Sequence, residues 1–576
     1  MRAARSTLGR AWLLALVCLA ASAAFATARA ADVRRPNILV VLADDLGFSD
    51  LGCYGSEIPT PRLDALAAGG LRFAQCYNSS RCCPSRASLL TGLTPHQAGI
   101  GRFVGRGSAP GYLGRLADRA VTLAEVLRPA GYATFAVGKW HVNVPGPIER
   151  GFDEFYGFVH GYAVDAFDPR MMTRLPQGRA ARAYAPGGFY ATHAITDHAL
   201  EFLDGARAAR KPWLLYVGYQ CPHFPVQAPP AATGRHVERY ARGWDTLRAE
   251  RLAGMKQLGI YHPDLPLPPR APIDSPDVAR RIGSLTADGL NPAWDSLPDD
   301  RRADLARRMA AYAAAVELMD ADIGRLVDSL AAHAELADTM ILFLSDNGAC
   351  GEWEPFGFDL DADAYRDRPP GQGIDGGTPG RPNRLHTGDE LATMGGPGSL
   401  FSYGCGWANL CNTPLARYKH FAHEGGIRTP LIVHWPAGIA ARGEWRRDVA
   451  HVMDVIATCV EVCGAAYPPP GIDREILPLE GRSLAPTFAA DTGRPRTLLF
   501  EHEGNVAIRR GDWKLVASRA LAADGLRPDV RWSLHDLAAD PAEQVDLAAN
   551  RPDLVAELAA EFLAGARRTL ILPGPR

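Results

Sequence analysis

The sequence predicts an α/β protein: a large, mainly parallel central sheet flanked by helices, then a smaller C-terminal antiparallel sheet with one covering helix. Three observations carry this. Four unbroken apolar runs, Asn37–Ala43, Tyr132–Val137, Trp213–Val217 and Met340–Leu344, have the texture of parallel strands covered on both faces. Helical patterns lie between them. Leu305, Met309, Tyr312, Val316, Met319, Ile323, Leu326 and Leu330 recur with a 3.6-residue period and predict one long amphipathic helix. From about Arg496 the texture changes to short alternating segments, Leu498–Glu501, Val506–Ile508, Asp512–Ala517 and Trp532–Leu537, before a terminal helix over Pro552–Ala564.

Taken in order, the chain opens on a secretory leader over residues 1–30. Arg2, Arg5 and Arg10 precede an apolar run from Ala11 to about Phe25, and Ala28-Arg29-Ala30 supplies a cleavage site. The run is short for a bilayer span, and no later segment is long and apolar enough, so the expectation is an exported protein, periplasmic or secreted, with no stable membrane span. A main domain is expected over residues 34–490, with Thr429–Trp435 as a further strand, and a subdomain over 491–576. Residues 351–412 are rich in Gly, Pro and Asp without periodicity and read as a lid or wall. The formal charge of −2 gives no reason to expect nucleic acid as a partner. Cys18 departs with the leader, and two close pairs, Cys405 with Cys411 and Cys459 with Cys463, are candidate disulfides whose connectivity spacing leaves open.

Chemistry gathers where the strands end. The four apolar runs discharge into Asp44-Asp45, Lys139-Trp140-His141, Cys221-Pro222-His223 and Asp346-Asn347, the place where open α/β sheets bind ligands. Any one of these clusters reads as a turn or cap; four together read as a site. Asp44, Asp45, Asp346 and Asn347 offer three carboxylates and one amide carbonyl, an oxygen set suited to one hard divalent cation, Ca2+ in preference to Mg2+. Cys82-Cys83-Pro84-Ser85-Arg86, followed by Thr91-Gly92, opens another predicted helix, whose N-terminus favours an anion.

That stretch resembles the signature of the sulfatase family, C-x-P-S-R followed by T-G, and the resemblance runs from Pro36-Asn37-Ile38 to Asp546-Leu547 with the family's motifs in order. It is nearest to bacterial arylsulfatase-like members and implies an alkaline phosphatase-like fold. It further implies that Cys82 is oxidised to formylglycine by a dedicated enzyme acting on the unfolded chain. The hydrated aldehyde is a geminal diol, a nucleophile for sulfur that can later expel sulfate. By the same resemblance Arg86 holds the diol's charge, Lys139 and His141 bind diol and sulfate, His223 faces the leaving oxygen and Lys419 binds sulfate, with His141 as the base that releases sulfate. The implied reaction is hydrolysis of a sulfate monoester, aryl sulfate or sulfated saccharide, with a phosphonate monoester or phosphodiester hydrolase on the same scaffold as the alternative. His96, His423 and His502 are as readily structural as functional.

Overall fold

The computed structural model describes residues 35–105, 107–161, 165–273, 279, 283–352, 355–360 and 383–574; the expected leader lies outside them. Its centre is a ten-stranded sheet built from β1 (Asn37–Asp44), β2 (Leu71–Tyr77), β3 (Ala133–Lys139), β4 (Glu154–Phe158), β5 (Thr173–Leu175), β6 (Trp213–Pro222), β7 (Thr339–Ser345), β8 (Arg428–His434), β9 (Glu444–Arg446) and β10 (Ala450–His451). The order is β10-β2-β8-β7-β1-β6-β3-β4-β5, with β9 also beside β2. The central block β7-β1-β6-β3-β4 is parallel, whereas β8 runs antiparallel to both its neighbours and β5 is antiparallel to β4. In β1 register, Ala43 pairs with Ser345 and Asp44 with Pro222, so the carboxyl ends of β7, β1 and β6 come level at one edge.

The helices used below are α1 (Cys82–Thr91), α2 (Ala191–Ala209), α3 (Asp299–Ala332), α4 (Gly404–Cys411), α5 (Asp454–Cys463) and α6 (Pro552–Arg568). Both faces of β1 are buried, which is why its sequence does not alternate. Leu39, Val41 and Ala43 pack in the core shared with α2 and α3, while Ile38, Val40 and Leu42 pack in the core shared with α1 and α5. All eight periodic residues of α3 are buried, and Asp299 and Asp300 occupy its first turn, where carboxylates complement the helix dipole.

Two expectations are corrected. The 351–412 segment is not all irregular. Among its described residues, Gly404–Cys411 forms a helix with every residue buried, and Trp407 packs against Trp244 and Trp294. A short helix that is apolar all round carries no amphipathic signal, so pattern reading passes over it. All ten described cysteines are thiols. Cys405 and Cys411 lie at opposite ends of α4, six residues and about 9 Å of helix rise apart, beyond a disulfide's reach.

The C-terminal sheet is β11 (Thr497–His502), β12 (Asn505–Arg510), β13 (Trp513–Ala517) and β14 (Ser533–Asp536), all antiparallel. α6 covers one face, packing Leu554, Leu558 and Phe562 on Val506, Ile508, Leu515 and Leu534. Toward the other face a buried ion cluster ties it to the main sheet. Lys514 Nζ sits 2.8 Å from both Glu424 Oε1 and Glu543 Oε1, and Tyr77 of β2 donates to Glu424 Oε2 at 2.7 Å. Burial works against the Glu424 charge, yet Lys514 and Arg428 outweigh it and bring its pKa down to about 2.

Candidate active site

Each letter of the Cys82 motif has a structural reason. Arg81 is the N-cap, so Pro84 falls in the first turn, where its missing N–H has no partner to lose. Ser85 Oγ accepts from the Ser79 amide at 2.8 Å, tying the helix to the chain that enters it. Gly92 ends the helix at φ 70°, its N–H bonded to Ser88 O. A Cβ on Gly92 would lie 2.3 Å from Ile456 Cγ2 of α5 and 2.6 Å from Leu479 Cδ2. Gly92→Ala is therefore expected to cost about 1–3 kcal/mol, from the left-handed backbone and overpacking together, read as a lower denaturant midpoint at unchanged m-value.

Arg86, fully buried one turn along, ties together groups from β3, β6 and the end of β7. Nε donates to Asp346 Oδ2 at 2.9 Å, and Nη1 donates to Lys139 O at 2.8 Å and to Tyr216 Oη at 3.1 Å. Gly218 of β6 makes this possible, because a Cβ there would lie 2.6 Å from Lys139 O and 3.0 Å from Arg86 Nη1. Asp44 Oδ2 takes the Lys139 ammonium at 2.5 Å; Asp45 N–H donates to Asp346 Oδ1 at 3.3 Å; and Asn347 Nδ2 donates to Asp45 Oδ1 at 2.6 Å. The four expected metal ligands thus meet at one point, all 0% exposed. Two oxygens are left over: Asp44 Oδ1 and Asn347 Oδ1 are buried with no hydrogen-bond partner among the described residues. Burial and the adjacent Asp44 charge push the Asp346 carboxyl well above its usual range, although Arg86 pulls the other way. Orphaned carboxylate and carbonyl oxygens buried side by side fit a hard cation.

The adjacent cysteines differ sharply. Burial opposes ionisation of Cys82, but hydrogen bonding from Cys83 and His141 and the charge of Lys139 outweigh it, so Cys82 falls well below the ordinary thiol value. Burial and the Cys82 charge push Cys83 well up. The position of Cys82 is built for an anion; that of Cys83 is not. His141, at φ 53° just past β3, brings its ring within 4.8 Å of Cys82 Sγ.

The far wall comes from the Lys419 loop. Lys419 Nζ donates to Asp45 Oδ2 at 3.0 Å and stands 3.4 Å from His223 Nε2. His223 Nδ1 lies 2.5 Å from Phe224 O, which makes Nδ1 the donor and Nε2 the acceptor from lysine. Burial, reinforced by Lys139 and Lys419 against the attraction of Asp44, brings His223 down to about 3, so it is neutral near pH 7.

The sulfatase family model matches residues 36–465. The chain belongs to the sulfatase family. It is 31% identical over 581 residues to an uncharacterized sulfatase of Schizosaccharomyces pombe, covering 95% of this chain and 96% of that one. It is 32% identical over 476 residues to an arylsulfatase of Klebsiella aerogenes, covering 80% and 93%. The crystal structure of Ps i-CgsB in complex with k-i-k-neocarrahexaose shares the fold, with a TM-score of 0.61 at 22% identity and 94% coverage of each chain. This sulfatase is a sulfuric ester hydrolase on an alkaline phosphatase-like scaffold.

All ten residues expected from the sequence converge in this sulfatase, but Arg86 sends its hydrogen bonds to Asp346, Lys139 and Tyr216 where reach to Cys82 had been expected. Sequence reasoning missed a second tier. Glu352, 6% exposed, stands 3.5 Å from Lys419 Nζ and 2.5 Å from His420 Nε2. Although burial opposes its charge, Lys419 and His420 hold it well below the carboxylate range. Arg81 beside Cys82 meets Glu503 at 3.1 Å, and His420 Nδ1 lies 3.2 Å from the same carboxylate. The one available signal was adjacency, Arg81 to Cys82 and His420 to Lys419. His96 is structural in its contacts, its Nε2 2.7 Å from Glu501. His423 is half-buried, and desolvation and Lys514 push it well below its usual pKa. His502, fully buried, lies beside His420 with ring centroids 5.7 Å apart.

Proposed function

We propose that this sulfatase is exported and hydrolyses sulfate monoesters, aryl sulfates or sulfated carbohydrates, to alcohol and inorganic sulfate, with formylglycine made from Cys82 and one divalent cation, calcium before magnesium. Residues 34–490 would form the catalytic domain and 491–576 the subdomain that closes one wall. The reading rests most heavily on the two partnerless oxygens, Asp44 Oδ1 and Asn347 Oδ1, buried in the same cluster that surrounds Cys82 with Lys139 and His141. Export is supported by the basic, apolar and A-x-A order of residues 1–30; among the described residues no helix is long and apolar enough to cross a membrane.

When present, the formylglycine diol supplies the nucleophile, and the cation, held by Asp44, Asp45, Asp346 and Asn347, polarises it and the sulfate oxygens. The remaining chemistry belongs to side chains. Lys139 and Lys419, on opposite sides of the carboxylate cluster, hold the sulfate and offset charge that builds on it during transfer. Arg86 fixes Asp346 and the Lys139 backbone, so both sides keep their spacing as charge moves. His141, against Cys82, is placed to take the proton that frees sulfate. His223 starts neutral. It becomes an acid once the ester's negative charge offsets Lys139 and Lys419, two of the influences that hold its pKa down.

With oxygen ligands for a single cation, the cluster suits the sulfate monoanion better than a dianionic phosphate monoester. One preparation assayed against an aryl sulfate, an aryl phosphate monoester and an aryl phosphodiester tests this and the phosphodiesterase alternative together; higher kcat/KM on either phosphorus ester would overturn the sulfatase reading. The two histidines give a second expectation. His223→Ala should hurt alkyl and sugar sulfates more than activated aryl sulfates, because a low-pKa aryl oxide departs without a proton. His141→Ala should slow both alike. The measurement is kcat/KM across leaving groups of graded pKa, and a His223→Ala slope equal to wild type removes the acid role.

A further inference from the structure

We propose that the cavity beside Lys419 binds the alcohol half of the substrate and selects saccharide sulfates that carry a second anionic group, a carboxylate or a further sulfate. This rests on the sulfatase reading above. The cavity measures about 760 Å³ and shares Lys419 and Glu352 with the site, so an ester whose sulfate lies against Lys419 projects its alcohol into it.

Three features of the lining specify the guest. Asn291 is 1% exposed, and neither its amide oxygen nor its amide nitrogen has a hydrogen-bond partner among the described residues. Its backbone is fixed, the N–H donating to Ala271 O at 2.9 Å, so the amide is not left over from a mobile segment. One acceptor and two donors on a rigid plane match neighbouring hydroxyls of a sugar ring, and burial without a guest would be costly. Tyr418 and Phe421, edge to face with ring centroids 6.0 Å apart, supply an apolar wall. Tyr418 seats against Gly351, where a Cβ would lie 2.6 Å from the ring, so that position needs glycine.

The third feature is charge. The cavity is lined by two carboxylates and, at its exposed rim, by Arg519 and Arg531. Glu352 is occupied by Lys419 and His420, and Glu503 by Arg81 and His420. Arg519 and Arg531 form no ion pair with another described residue. The Arg519 backbone is anchored, its N–H donating to Asn505 Oδ1 at 3.1 Å. The charge available to a guest is therefore positive and carried by guanidinium groups, whose forked donors match carboxylate or sulfate oxygens. A simple aryl sulfate has neither hydroxyls for Asn291 nor a second anion for the arginines.

The test compares an aryl sulfate with three sulfated disaccharides: one otherwise neutral, one with a uronate, one with a second sulfate. In the wild type, kcat/KM for at least one anionic disaccharide should exceed that for the neutral one by about tenfold or more, the scale of a charge-assisted pair at an exposed rim. Which of the two wins names the second group. Arg519→Ala/Arg531→Ala should collapse that ratio toward one, while Asn291→Ala should lower both disaccharides and keep the ratio. Calorimetric titration of the same disaccharides into Cys82→Ala protein reads the preference without turnover. A wild-type ratio near one, or a ratio unmoved by the double arginine variant, overturns the proposal even where the aryl sulfate is hydrolysed. Preferential binding with no turnover of the aryl sulfate or of any of the three disaccharides would instead overturn the catalytic reading and leave this one standing.

Discussion

Cys82→Ala is expected to lower sulfate ester turnover by roughly ten-thousand-fold or more, the scale seen when a covalent nucleophile is removed, while Cys83→Ala stays active. The two thiols are neighbours in one helical turn, so a contrast this large cannot come from disrupting the helix. It comes from surroundings. Cys82 faces Lys139 and His141, which favour an anion, whereas Cys83 lies in the apolar core with α5, its Sγ 3.6 Å from Arg102 O. Cys83→Ala should therefore cost about 1 kcal/mol of packing and little chemistry. Peptide mass spectrometry of active protein should find the aldehyde at Cys82 and a thiol at Cys83. An intact Cys82 thiol in fully active protein would refute the assignment.

The second large effect is loss of the cation. Chelation should abolish turnover, and added calcium should raise the Tm of metal-free protein, by about 2.7 kcal/mol of stability at one hundred times Kd. Asp346→Asn should remove most of that calcium-dependent rise. Asparagine is the better probe, because Asp346→Ala would strand the buried Arg86 guanidinium at a cost of about 3–5 kcal/mol. The pH dependence has a definite sign. Burial and Asp44 raise Asp346, so the folded metal-free chain keeps a proton that the unfolded chain releases in the ordinary carboxylate range. Stability of the metal-free protein then falls as pH rises from that range toward the raised value. The cation needs the carboxylate, so calcium's stabilising effect grows over the same rise. A calcium effect that is flat with pH, or equal in Asp346→Asn, would remove Asp346 from the ligand set.

The sequence carried the central fold because β1, β3, β6 and β7 are buried on both faces and read as unbroken apolar runs. It missed β2, whose Arg72 and Gln75 interrupt the run, β4, which has only five residues and opens on Glu154, and β5, β9 and β10, each three residues or fewer. The proposed metal ligands were legible as a cluster because each pair lies at a strand end, and strand ends are where such sheets bind. Glu352 was not, because nothing near it in sequence marks it. Its value arises only when β7's following loop folds back on the Lys419 loop.

The burial of α1 also sets a clock. All ten of its residues are enclosed, and part of the enclosure is α5, whose Ile456 packs over Gly92. Arg86 has its carboxylate partner only once Asp346 has arrived. At the pace of synthesis, tens of seconds separate the emergence of Cys82 from that of α5. On the formylglycine reading proposed above, that interval is when an enzyme acting on the unfolded chain would have access to the motif. Afterwards it is sealed. If Cys82 is modified as proposed, the fraction of chains that become active would be set by a race between modification and closure, and so by how late in the gene the covering helix is encoded.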